Sequence, residues 1–438
     1  MGPKNVLVAQ SGGPSAVINN SIRGVAEACR DYPDVFGCVY GAWHGIEGVL
    51  KEELLNISAQ DSREVALLAS TPAAGAIGTC RYKLHQSQTE DFDRVISVLR
   101  AHDIGYFFYA GGIDSMDTAN KIAKVAAAQG FDLAATGVPK SINNDLGDPD
   151  FKLVDHSPGY GSTARYWAAN MLGANEENAG SCSSDPVLVL QAMGRLTGFI
   201  PAAARLADPE RRLPIQIYLT EAGVTLPEMA DRVNEELLRS GRCIVVVSEG
   251  FDVGDIGAPK DPFGHPLFGA GERTAQQVIV SYLNSVGLKA AGNARGQTLG
   301  TDQRHSAPLA SVVDLEEAYL SGRHAVEIAR TMGNGFMATI QREPGEGYRA
   351  RYDKVPLDVV ANKVRFFPKE WIAPNRIDVS DAFVSYARPL IGETWALVPL
   401  HNGLPRFARF EPIFAEKKCG PYVPQACRAK PDGTEHVS

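Results

Sequence analysis

Three short apolar runs constrain the fold of this chain more than any other feature: NVLVAQ at 5–10, YFFYA at 106–110 and LAATGVP at 133–139. Each has strand length and no polar alternation, as expected of strands buried on both faces. A helical stretch to about Arg30 follows the first, behind SGGPSAV. The helix MDTANKIAKVAAAQ follows the second, behind GGIDS, with Gly130 as its stop signal. Apolar strands joined by helices specify a parallel sheet covered on both sides. In such sheets ligands gather at the carboxyl ends of the strands, where all three runs meet their loops.

A second series repeats the logic: PVLVLQAM (186–193), PIQIYLT (214–220), a helix over 226–241 and CIVVVSEG (243–250). A helix over 314–333 and a strand FMATIQ (336–341) come later. At 438 residues the chain is too long for one simple core. The expected fold is α/β: two three-layer Rossmann-like domains with parallel-rich sheets and a helical C-terminal extension. The expected boundaries are 1–150 for an N-terminal domain, 151–295 for a second, 296–418 for a segment completing both, and 419–438 for a surface tail rich in Pro, Gly and charge.

A net charge of −8 argues against a nucleic-acid or anionic-membrane surface, although a local basic pocket can still hold phosphate. The seven cysteines (29, 38, 80, 182, 243, 419 and 427) are scattered with no C-x-x-C pair, which fits free thiols in a reducing cytoplasm. No stretch approaches the roughly 18 apolar residues needed to span a bilayer.

SGGPS (11–15) and GGIDS (111–115) each place two glycines at a strand-to-helix turn, where backbone and helix N-terminus can approach an anion closely. Either loop alone is equally what tight α/β packing needs. Neither matches G-x-G-x-x-G or the P-loop pattern, so a nicotinamide oxidoreductase on a similar sheet is poorly supported. Basic residues accumulate in the neighbouring loops: Arg81 and Lys83 in GTCRYK, Lys140 in PKSINND, Arg195 in AMGRLTG and Arg304 in DQRH, with Glu249 in SEG. Several cations at strand ends beside glycine turns indicate a site for more than one phosphate group.

This ordered set resembles the phosphofructokinase family, and more closely its pyrophosphate-dependent branch. The family's GGDGS or GGDDS, PKTIDND, MGR, SEG-like and QR segments stand here as GGIDS, PKSINND, MGR, SEG and QR. Agreement extends to VAQSGGPSAVINNSIRGV (8–25), TARYWAA (163–169) and VSYARPLIG (384–392), so it spans about residues 4 to 395. The resemblance implies that Gly12, Gly13, Arg81, Gly112, Asp114 and Ser115 hold the phosphoryl donor. It implies that Lys140 contacts the transferred group, and that Ser141, Met193, Gly194, Arg195, Glu249 and Arg304 hold a sugar phosphate, fructose 6-phosphate by default. It further implies Mg²⁺, and a homodimer or homotetramer in which Arg304 is a candidate to cross between subunits. Asp114 stands where ATP-using relatives have glycine, so its carboxylate favours pyrophosphate over ATP.

Two positions depart from the family pattern. Asn143 replaces the aspartate that takes the acceptor's proton, and an amide cannot act as a base. Ile113 replaces an oxygen-bearing residue that helps place Mg²⁺. Asp145 remains as a metal ligand or, with less support, a substitute base. Asp117, His156 and His305 are further titratable candidates. Two expectations follow: a pyrophosphate-dependent phosphotransferase, or an altered relative that binds sugar phosphates, regulates, or acts on another phosphorylated metabolite.

Overall fold

The computed structural model describes residues 2–255, 257, 258, 260, 267 and 271–428. Its larger sheet has seven strands: β1 (Lys4–Gln10), β2 (Phe36–Ala42), β3 (Leu54–Asn56), β4 (Ile104–Gly111), β5 (Ala134–Pro139), β10 (Phe336–Arg342) and β11 (Ala350–Pro356), in the order β11-β10-β5-β4-β1-β2-β3. The central pairings are parallel, and the two edges, β2/β3 and β10/β11, are antiparallel. The apolar runs serve both faces. Leu7, Phe107, Tyr109 and Ala135 belong to the core on one side. Val6, Val8, Phe108 and Val138 belong to the core on the other.

The smaller sheet is wholly parallel, ordered β7-β8-β6-β9, from β6 (Val187–Ala192), β7 (Ile215–Tyr218), β8 (Cys243–Ser248) and β9 (Ala294–Thr298). Its residues alternate in the same way, with Leu188, Leu190, Ile244 and Val246 facing one core and Val187, Val189, Val245 and Val247 the other. Helix Tyr160–Ser181 leads from the larger sheet to the smaller, and helix Val312–Met332 returns the chain to β10. The segment after residue 296 therefore contributes two strands to the first sheet.

Beyond Ile391 regular structure is sparse. Of the expected surface tail 419–438, residues 419–428 are largely exposed and also anchored: the Cys419 N–H donates to the buried Glu52 carboxylate, and the Tyr422 hydroxyl donates to buried Asp91 at 2.6 Å; 429–438 lie outside the described residues. Among the described residues, no helix is long and apolar enough to cross a membrane.

Candidate active site

Six loops at the carboxyl ends of β1, β4, β5, β6, β8 and β9, together with the segment carrying Arg81 and Lys83 and with Asn362 and Val364, line one cavity of about 720 Å³. On the larger sheet these strands are the adjacent triplet β5-β4-β1, and on the smaller one β8-β6-β9. Topology therefore clusters the loops of each sheet, and the two clusters line the same cavity.

At the end of β1, the Gly12 N–H donates to the Cys80 carbonyl at 3.0 Å, stitching this turn to the segment that carries Arg81. Gly12 has φ +75°, a left-handed conformation that favours glycine. A Cβ on Gly13 would stand 3.2 Å from the Arg304 guanidinium, so its absence lets the smaller domain's arginine close over the turn. Helix Ile113–Ala128 begins at Gly112 with no side-chain cap, and the Ser115 N–H in its first turn donates to the Gly112 carbonyl at 3.0 Å. Asp114, in that turn, pairs with Lys83 at 2.8 Å.

Lys140, buried at the end of β5, donates to the carbonyls of Ser11 at 3.1 Å and Gly13 at 2.6 Å. Burial pulls its ammonium down to about 7, Arg304 and Arg81 push the same way, and Asp145 opposes them. The loop that follows is held from behind by fully buried Arg365. Its side chain donates twice to the Asn144 carbonyl, and its own N–H donates to the Asp145 carbonyl at 2.8 Å. On the cavity side, Asp145 accepts from the Ser141 hydroxyl at 2.5 Å and from the Asn143 amide at 3.3 Å.

The opposite wall is organised by Gln303, whose carbonyl oxygen accepts from Met193 N–H at 2.9 Å and from the Trp167 indole at 3.0 Å. Gly194 N–H donates to Glu249 at 3.3 Å. Burial raises the Glu249 carboxyl, while Arg195, Gly194 and Arg304 oppose the rise. Burial and Arg81 both depress Arg304, whose Nε is buried without a hydrogen-bond partner among the described residues. Cations that destabilise one another in a shared hollow favour a negatively charged occupant.

Of the residues expected to form the site, only Gly194 does not line the cavity, and it lies between two that do. Arg304 lines its own chain's cavity. Asp117 is engaged by Lys121 at 2.6 Å and Asn362 at 2.8 Å. His156 is buried outside the cavity between Asp155 at 2.8 Å and Glu317 at 2.7 Å, which raise it to about 9 against the opposing effect of burial. His305 meets Thr301 at 3.3 Å beside the cavity. The sequence reading missed Gln303's role, although it lay within the quoted DQRH. It also missed Asn362 and Arg365, which belong to no glycine or basic motif. Among the described residues no three His, Cys, Asp or Glu side chains cluster as a metal cage. Three carboxylates line the cavity among the described residues: Asp114, Asp145 and Glu249. The Ile113 side chain packs against the core and offers no ligand.

The phosphofructokinase family model matches residues 5–329. The chain belongs to the phosphofructokinase family. It is 38% identical to the pyrophosphate–fructose 6-phosphate 1-phosphotransferase of Halomonas elongata over 428 residues, 95% of this chain and 99% of that one. The pyrophosphate-dependent phosphofructokinase from Nitrosospira multiformis superposes with a TM-score of 0.85 at 35% identity, covering 96% of this chain and all of that one. The corresponding Marinobacter aquaeolei structure gives 0.84 at 34% identity, covering 96% and 99%. Family membership accounts for two parallel-rich sheets whose loops line one cavity.

Proposed function

We propose that this chain transfers a phosphoryl group from pyrophosphate to fructose 6-phosphate. The observation that carries the proposal is the placement of buried Lys140 between the Gly12–Gly13 turn and the arginines of the opposite wall. Pyrophosphate would lie against the Gly12–Gly13 turn, Arg81 and the N-terminus of helix Ile113–Ala128. The sugar phosphate would lie against Arg195, Glu249, Arg304 and the Met193–Gly194 backbone. The acceptor hydroxyl attacks one phosphorus of pyrophosphate, the bridging P–O bond breaks, orthophosphate leaves and takes up the hydroxyl proton, and Lys140 neutralises charge spreading over the transferred group's oxygens. The Lys83–Asp114 pair narrows the donor side and places a carboxylate where a nucleotide's inner phosphate would approach, which selects a compact donor. Asp145 would hold Mg²⁺, which would supply further charge neutralisation when bound. Asn143 can accept a hydrogen bond from the acceptor hydroxyl but cannot take its proton. Transfer should therefore run about 10²–10⁴ below a carboxylate-bearing relative. All seven cysteines are free, consistent with a cytoplasmic setting, and a homodimer or homotetramer is the assembly that fits the family.

A second reading rests on Asn143 and Ile113 together: a relative that keeps the phosphate cavity but binds or modifies another sugar phosphate. Incubation with Mg²⁺, fructose 6-phosphate and either pyrophosphate or ATP, with the bisphosphate quantified, separates the two. Turnover with pyrophosphate that vanishes in Lys140→Ala supports the first. No turnover, with a thermal shift on adding the sugar phosphate, supports the second.

A further inference from the structure

Residues 81–85 have no regular secondary structure, yet two of them supply cations to the cavity. Arg81 and Lys83 line the hollow, whereas Tyr82 and Leu84 are buried on the other side of the same segment. Tyr82 is thus the foot on which this arm stands. Its hydroxyl donates to Asp91 at 2.6 Å and accepts from Gln88 at 2.9 Å.

Asp91 is fully buried, so its carboxylate depends on the donors around it. Two come from its own neighbourhood, the Tyr82 hydroxyl and the Gln88 amide at 3.1 Å. The other two arrive from the end of the chain, the Tyr422 hydroxyl at 2.6 Å and the Gln425 N–H at 3.0 Å. The Gln425 side chain accepts from the Asp91 N–H at 3.2 Å, and the Ala426 N–H donates to the Tyr82 hydroxyl at 3.2 Å. The Tyr422 ring lies beneath the guanidinium groups of Arg94 and Arg428.

We infer that the C-terminal segment 419–428 is a positioning strap for the donor side of the cavity, fixing Arg81 and Lys83 through Asp91 and Tyr82. None of residues 419–428 lines the cavity. Without it, a buried carboxylate loses half its donors and the Tyr82 hydroxyl loses one partner. The arm must then rearrange to let water in, and the two cations lose their preset positions. The Gly12–Gly13 turn, bonded to the Cys80 carbonyl, belongs to the same donor side, whereas none of the bonds within this network reaches Gln303, Met193 or Gly194 on the opposite wall. The effect therefore falls chiefly on the phosphoryl donor, and the inference rests on the donor reading of this side.

Calorimetric binding of inorganic pyrophosphate and, separately, of fructose 6-phosphate tests it in the full-length chain. Tyr422→Phe keeps the ring beneath both guanidinium groups and deletes only the hydroxyl. It is expected to weaken pyrophosphate binding about fivefold and leave fructose 6-phosphate unchanged. A chain ended at Gly420 is expected to weaken pyrophosphate binding more, by roughly tenfold or greater. Tyr82→Phe combined with Tyr422→Phe should cost less than the sum of the two single changes, because both act through Asp91. Unchanged pyrophosphate affinity in a folded Tyr422→Phe protein overturns the inference, as does an equal loss for both ligands. Absence of pyrophosphate binding to the unaltered chain instead overturns the donor reading, and the strap's role with it.

Discussion

Lys140→Met isolates the energetic cost of holding an ammonium group in the empty cavity. Lys140 is 4% exposed, and burial with Arg304 and Arg81 takes it from an ordinary 10.5 to about 7. Between these values the unfolded chain carries a proton on this group that the folded chain does not. Wild-type stability therefore rises with pH across the window by about 1.4 kcal/mol per unit, and the full penalty applies below pH 7. Summed over the shift, the penalty is roughly 5 kcal/mol. Methionine has similar bulk and no charge, so it removes the pH-dependent part. It also leaves the Ser11 and Gly13 carbonyls without their donor, an offset of about 1–3 kcal/mol each that does not vary with pH. Urea denaturation of both proteins between pH 7.5 and 9.5 should show their difference moving in the wild type's favour by about 3 kcal/mol. A difference that stays flat over this range would refute the argument, because Lys140 would then titrate as an ordinary lysine.

Asn143→Asp should raise phosphoryl transfer at least about tenfold, and more in combination with Ile113→Asp. The new carboxylate would sit near Asp145, now 3.3 Å from the Asn143 amide, so the two would share a proton and the gain should grow from pH 6.5 to 8.5. Equal rates for Asn143→Asp and the unaltered chain across that range would displace Asn143 from the reacting hydroxyl. Asp114→Gly should tighten ATP binding about tenfold by removing the carboxylate beside Lys83, with pyrophosphate competition as the readout. An unchanged ATP affinity would show that Asp114 does not discriminate between donors.

The strands at the heart of both sheets were legible because burial on both faces leaves an unbroken apolar run. β9 was not: its sequence ARGQT is largely polar, and only Ala294 is buried in this edge strand. β11, reading ARYDKVP, is likewise half-exposed and pairs on one side only. Within the site, glycine turns and cations stand out at strand ends. The supports behind them do not, because Arg365 and Gln303 act through carbonyls and N–H groups found in every residue. The docking of residues 419–428 escaped composition for the same reason. Its Pro, Gly and charge look solvated, while its bonds to Asp91 and Glu52 are made largely by backbone N–H groups.

The return of the chain to β10 has a consequence for biogenesis. β5 leaves the ribosome long before Phe336, the first residue of the strand that pairs with its outer edge. Until then, a row of unpaired peptide groups is open to any extended segment nearby. The whole smaller sheet is synthesised during that interval. The N-terminal sheet begins first and closes last, so a nascent chain halted anywhere in between carries a sticky flank that chaperones must shield.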